Sequence, residues 1–210
     1  MTIDEFTLKR PFLFHLTALN NLDNIKRSKT LFSTKTIFQM AGRKDRAFLR
    51  TRRAEHDHIE VNGDSYHIRD QAPISLLALS KCLEEMNCED YIEFLNERVF
   101  WWPTLERLER HFKRYEKENP LILKCSSAQL FDLNRNPLFS RLNSGATRAN
   151  SYLGGVPPSR GRDTFLEAEK YDRGPSTVAE VTFLGKCILP EVVYLGDAPH
   201  CRWQELHLGD

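Results

Sequence analysis

The 210-residue chain predicts a single α+β domain with a split, mixed β-sheet core flanked by helices, and three observations carry that prediction. Its 40% hydrophobic and 28% charged residues are the proportions of an ordinary globular domain, which excludes disordered and fibrous classes. Short apolar runs of strand length alternate with segments whose apolar residues recur every three or four positions, but not as a regular strand-helix-strand series. Pro and Gly concentrate at residues 154–175 and no linker-like tract divides the chain, so one domain is expected.

Taken in order, Phe12-Leu-Phe-His-Leu16 is a continuous apolar run that predicts a short buried strand. Leu19, Leu22 and Ile25 then begin a helical spacing, with Asn20 or Asn21 as its expected cap. Residues 43–53 form a dense basic stretch, expected as a helix face, and a His-rich strand-like segment follows from His56 to Arg69. Pro73 suits the first turn of a helix running to about Met86, and a second helix is expected over Glu89 to Asn96. Arg98-Val-Phe-Trp-Trp-Pro reads as an aromatic strand. Leu105, Leu108, Phe112 and Tyr115 then share one helical face. Leu121 to Cys125, Val178 to Phe183 and Cys187 to Leu195 are further strands, and residues 137–175 are expected to be irregular.

Lys and Arg total 30 against 29 for Asp and Glu, so no global field draws the chain to a polyanion and any basic surface is local. Cys82, Cys88, Cys125, Cys187 and Cys201 are odd in number and contain no CxxC spacing, as in a reducing cytosol. The N-terminal run is too short and acidic for a signal peptide, and no apolar stretch is long enough to span a bilayer, so a cytoplasmic location without membrane attachment is expected.

Three polar groups stand in strand contexts where chemistry is expected: His15 with Thr17 and Asn21, the Arg run ending at Arg53, and Glu180. Their order resembles a family. Phe14-His15-Leu16-Thr17 followed by Asn21-Leu22 and Ile25 is similar to the opening strand and helix of ADP-ribosyltransferases, in particular the DarT-type toxins that modify nucleic acid. Arg52-Arg53-Ala54 and Asp70-x-x-Pro73 resemble that family's basic helix and the segment after it. Val99 to Thr104 resembles a second core strand. Ala179-Glu180-Val181-x-Phe183 with Ile188-Leu189-Pro190-x-Val192 looks like the strand of the catalytic glutamate and its sequel. The resemblance extends from about residue 12 to 193. It implies an ADP-ribosyltransferase-like fold, NAD+ as co-substrate, a nucleic-acid acceptor, and an antitoxin or ADP-ribose hydrolase as partner. Glu180 and Arg53 are the implied catalytic groups.

The chemistry agrees with these residue types. Losing nicotinamide from NAD+ builds positive charge on the ribose, which a carboxylate such as Glu180 stabilises. His15 and Thr17 share one strand face and, with Asn21, can hydrogen-bond the cofactor. Arg50 and Arg53, one helical turn apart, suit a pyrophosphate. Ile74-Ser75-Leu76-Leu77 follow Asp70-x-x-Pro73 where the family carries aromatics, so the stacking surface for the pyridinium is expected at Phe100, Trp101 and Trp102. Arg141, Arg148, Arg160 and Arg162 lie in the Gly/Arg-rich segment ahead of Glu180, and the last three are expected to bind the acceptor. Rival expectations are transfer to a protein side chain, a small molecule or an RNA 2′-phosphate, a catalytically inactive binding module of the same fold, and a zinc site at His56, His58 and His67.

Overall fold

A computed structural model describes residues 1–147 and 157–208. The core is an α+β assembly of two antiparallel sheets that meet at a seam. Strand β1 (Phe12–Ala18) pairs with β6 (Pro120–Ser126), which pairs in turn with β10 (Val192–Gly196) and then β11 (Gln204–His207). The second sheet places β8 (Glu180–Leu184) between β5 (Arg98–Trp101) and β7 (Leu138–Ser140). The seam is a bridge between Phe14 and Trp102, whose backbone groups exchange hydrogen bonds of 2.8 and 2.9 Å. The core is therefore split as expected. It is not mixed, because every pair of named strands among the described residues is antiparallel.

Helix α7 (Leu105–Tyr115), capped by the Thr104 side chain, covers β1 with Leu108, Phe112 and Tyr115, which pack on Phe14, Leu16, Trp102 and Ile122. Helix α6 (Cys88–Asn96), capped by Asn87, buries Tyr91, Ile92 and Leu95 against Ile74, Leu79 and Phe165. A larger core joins Trp101, Leu123, Phe139, Val181 and Phe183 between the sheets.

Two small sheets complete the fold. Strand β2 (Thr30–Phe32) pairs with β9 (Lys186–Ile188), and β3 (Asp57–Val61) forms a hairpin with β4 (Asp64–Ile68). Asn62 and Gly63 supply the two positive φ values, 52° and 89°, that a tight hairpin turn requires. Asparagine side chains take over backbone pairing at the free side of both small sheets. Asn21 accepts from His67 N at 2.9 Å and donates to its carbonyl at 3.0 Å, and Asn24 donates to Ser65 O at 2.8 Å. Asn134 exchanges two 2.7 Å bonds with the backbone of Ile188.

Several expectations change. The helix expected from Pro73 to Met86 shortens to α5 (Leu76–Ser80), because Cys82 O and Glu84 N bond the backbone of Arg160 and draw the chain into a bridge. The basic run forms only the four-residue helix α4 (Ala47–Arg50), so Arg53 lies beyond its end and not one helical turn from Arg50. Asn21 occupies the cap position of α2 (Leu22–Ser28) but makes no capping bond, its side chain being committed to β4. The run after Cys187 is two strands, separated at Leu189-Pro190-Glu191. No helix among the described residues is long and apolar enough to cross a membrane.

Candidate active site

A cavity of about 720 Å³ opens at the seam between the two sheets. Its walls bring together His15, Thr17, Asn21, Arg53, Phe100, Trp102 and Glu180, which are scattered over 166 positions of the chain, from 15 to 180. Strand alternation explains which aromatics reach it. Phe100 and Trp102 face the cavity, whereas Trp101 points the other way into the core and is fully buried, so it offers no stacking surface.

Glu180 begins β8 opposite Ser140 and is 2% exposed. Its Oε2 accepts from Ser144 Oγ at 2.6 Å and from Ser144 N at 3.1 Å. Burial pushes this carboxyl up to about 7, and the two Ser144 bonds, with Arg160 and Arg107 nearby, only partly oppose that. Glu180 is thus poised to exchange a proton near neutral pH, as a general acid or base requires.

Ser144 is itself held in place. The Arg160 guanidinium donates to the carbonyls of Asn143, Ser144, Ala146 and Pro158 at 3.2, 3.3, 2.7 and 2.6 Å. Arg160 is 3% exposed, so it is the anchor of the loop that carries Ser144 and not a residue free to meet an acceptor. Arg162 is exposed and lies with Arg141 in a separate cleft of about 570 Å³ beside Glu84 and Glu85. Arg148 lies outside the described residues. Arg50 is drawn away from the cavity by Asp90 at 2.7 Å and Glu89 at 3.3 Å. Helix α6 neutralises the basic run in the same way at Arg46, which pairs with Glu93.

Across the cavity, His15 Nδ1 lies 2.8 Å from the Phe100 carbonyl. A carbonyl only accepts, so the proton sits on Nδ1 and Nε2 carries a lone pair. Burial, with the field of Arg69 added, lowers His15 to about 4 and keeps it neutral. Thr17 is fixed by Asn21, whose amide donates to its hydroxyl at 3.3 Å, and by Arg69, which donates to its carbonyl at 2.9 Å. Asn21 therefore positions its neighbours.

The cavity also holds residues that the sequence reading did not single out. Arg69 stacks over Tyr115 at 4.2 Å, and Arg98, 7% exposed, is sandwiched over Phe94 and Phe165 at 3.5 and 4.8 Å. Arg53 donates to Asn96 Oδ1 at 3.1 Å and to Arg69 O at 3.3 Å. Desolvation lowers all three guanidinium groups, Arg53 and Arg98 to about 10, which leaves them cationic at neutral pH. Arg53 Nη1, Arg69 Nε and Nη1, and Arg98 Nε are buried without a hydrogen-bond partner among the described residues. Unsatisfied buried donors on cations are costly, and an anionic ligand in the cavity would satisfy them. His111, stacked on Trp102 with ring centroids 4.7 Å apart, is pushed down to about 3 by burial and by Arg69 and Arg114. Nothing local in the sequence marks Arg69, Arg98 or His111 as cavity residues. Ser144 lies 36 positions from Glu180 in an irregular segment and left no signal.

The three histidines of the hairpin contact one another instead of converging on a common point. His67 Nδ1 is 3.2 Å from His58 Nε2, and the His56 and His67 rings lie 4.9 Å apart. Asp70 N donates to His56 Nδ1 at 3.0 Å, so the His56 proton is on Nε2, 2.9 Å from Glu118. Among the described residues no group of three His, Cys, Asp or Glu is arranged to hold a metal ion.

The chain is thus an α+β domain with a buried carboxyl in a guanidinium-lined cavity at a sheet seam. The chain belongs to a family of unknown function (DUF7002), whose family model matches residues 11–190. Neither the comparison with curated proteins nor that with solved structures found a match.

Proposed function

We propose that the chain is a cytoplasmic NAD+-dependent ADP-ribosyltransferase with an ADP-ribosyltransferase-like fold and a nucleic-acid acceptor. The observation that carries this reading is Glu180, a fully buried carboxyl held near 7 in a cavity whose other walls carry arginines with buried N–H donors still unpaired among the described residues. The volume lies in the range of about 300–1,000 Å³ that small-molecule and cofactor sites occupy. Arg53, Arg69 and Arg98 fit a diphosphate. Phe100 and Trp102 give flat surfaces for a heteroaromatic ring.

In this reading Glu180 as a carboxylate opposes the positive charge that develops on the ribose as nicotinamide leaves, and takes the proton released by the acceptor nitrogen or oxygen as the new glycosidic bond forms. His15, neutral with a lone pair on Nε2, accepts a hydrogen bond from a ribose hydroxyl or the carboxamide. Arg53 serves the diphosphate and the charge of the reacting state. The activity would harm its host when unrestrained, so the expected partner is an antitoxin or a hydrolase that removes ADP-ribose.

The test is incubation with NAD+ labelled in its adenylate, separately with DNA, RNA and protein. The expected result is nicotinamide release with label retained in a nucleic-acid pool. No nicotinamide release with any pool would refute the activity, and label confined to protein would refute the acceptor.

A further inference from the structure

Helix α7 carries Arg107, Arg110 and Arg114, which at 3.6 residues per turn fall within roughly 60° of one another on one flank. The next residue round the helix on that side is His111, which lines the cavity together with Arg110 and Arg114. At the near end Arg107 feels Glu180 and Tyr171. At the far end Arg114 acts on Tyr115, which Asp70 also touches. Arg110 and Arg114 thus line the cavity that also holds Glu180 and Asp70, and Arg107 continues the strip beyond it within the field of Glu180.

The strip is not neutralised by the helix that bears it. Among the described residues none of Arg10, Arg107, Arg110 and Arg114 sits within ion-pair distance of a carboxylate, whereas Arg27, Arg46 and Arg50 elsewhere all do. Arg107 is lowered by burial and then by the like charges of Arg110 and Arg10, with Tyr171 and Glu180 acting the other way. Of the two acids on α7, Glu109 pairs with Lys113 on the opposite flank, and Glu106 bonds Thr104 at the helix start, in the field of Arg10.

We infer that this strip is the track on which a single-stranded nucleic acid lays its phosphates, feeding one nucleotide to the Glu180 end of the cavity. The inference rests on the transferase reading for its direction, but not for the binding itself. Seven residues of helix span about 10 Å, long enough for its three guanidinium groups to meet successive phosphates of one strand. One guanidinium per phosphate gives the strip a defined share of the salt dependence, about 0.7 in the slope of log K against log salt for each contact.

The experiment measures binding of fluorescent oligo-dT and oligo-rU by anisotropy, without NAD+, between 50 and 200 mM salt. The proteins are wild type, the triple variant Arg107→Gln, Arg110→Gln, Arg114→Gln, each single variant, and a control with Lys26→Gln, Lys44→Gln and Lys186→Gln. Removing three contacts should reduce the slope by about 2, so the wild type should lose about twentyfold more affinity than the triple variant over that salt range. The control, which loses the same charge from other elements, should keep the wild-type slope. Each single variant should lose about a third of the effect, which gives the answer even if the triple variant fails to fold. Equal slopes for wild type and single variants, no oligonucleotide binding by wild type at 50 mM salt, or an equal loss in the control would each overturn the track. Slopes as expected together with no nicotinamide release by wild type in a separate incubation with NAD+ would overturn the transferase reading and leave the track standing.

Discussion

Replacing Glu180 by Gln separates the energetics of the buried carboxyl from its chemistry. The change keeps the shape, and the amide oxygen can still accept from Ser144 N and Oγ. In the wild type the group rises from 4.5 to about 7 on folding. The folded state therefore binds this proton more tightly than the unfolded chain, and stability falls as pH rises from about 4.5 to 7. At 1.36 kcal/mol per unit, the ionised carboxyl costs the folded protein about 3 kcal/mol above pH 7 and nothing below pH 4.5. Glu180→Gln removes that cost. The variant should gain about 3 kcal/mol relative to wild type at pH 8 compared with pH 4.5, about 6–12 °C in Tm for a domain of this size. A fixed penalty of about 1 kcal/mol for the new amide N–H groups is independent of pH and cancels in that comparison. Nicotinamide release should meanwhile fall on the order of a hundredfold or more. The assay is urea or thermal unfolding of both proteins at the two pH values, with turnover measured on the same samples. A stability difference that does not change with pH would refute the account of the buried carboxyl, and near wild-type turnover would refute its catalytic role.

Other perturbations test the surroundings of that carboxyl. Ser144→Ala removes the 2.6 Å hydroxyl donor, so the Glu180 carboxyl should rise further and the pH profile of nicotinamide release should move upward; an unmoved profile would detach Ser144 from the chemistry. Arg160→Lys loses the planar fork that serves four carbonyls and should cost about 3 kcal/mol or more in urea unfolding, with an unchanged midpoint refuting the anchor role. His15→Ala should weaken NAD+ binding about tenfold by calorimetry. Because His15 is held near 4 and Glu180 near 7, any step in NAD+ affinity between pH 5.5 and 8 should come from Glu180 and vanish in Glu180→Gln, and a step that persists in that variant would show that the imidazole is not neutral.

The parts of the fold legible in the sequence were those whose signal is local. Helix α6 lies within one residue of the expected Glu89 to Asn96, α7 follows from its apolar spacing, and β1, β5 and β6 from unbroken apolar runs. What escaped depended on distant partners. Strand β2 is three residues long and exists because β9 pairs with it from about 155 positions away. The truncation of α5 is imposed by Arg160. At the site, His15, Thr17, Arg53, Phe100, Trp102 and Glu180 were found because their residue types are unusual for their strands or follow a recognisable pattern. Arg50 and Trp101 were misplaced, one by assuming that a helix continued past its end and one by ignoring strand alternation within a run of aromatics. Arg160 reads as an acceptor contact in the sequence because nothing in a Gly-rich segment announces that an arginine will be buried under the carbonyls of its own loop.

The asparagines on the two small sheets bear on how this chain behaves in a crowded solution. A short strand whose outer N–H and C=O groups point at solvent invites another chain to add a strand, and a two-stranded sheet has little else to discourage it. Here Asn21, Asn24 and Asn134 occupy those groups with side-chain amides, which imitate a neighbouring peptide but cannot be extended into a further strand. Each ends its ladder at a single residue. At the β4 and β9 edges these groups are consequently not offered to another chain, and the strands can stay short. The cost falls on Asn21, which must close β4 and hold Thr17 at once, so one side chain ends a ladder and sets the geometry of the cavity wall.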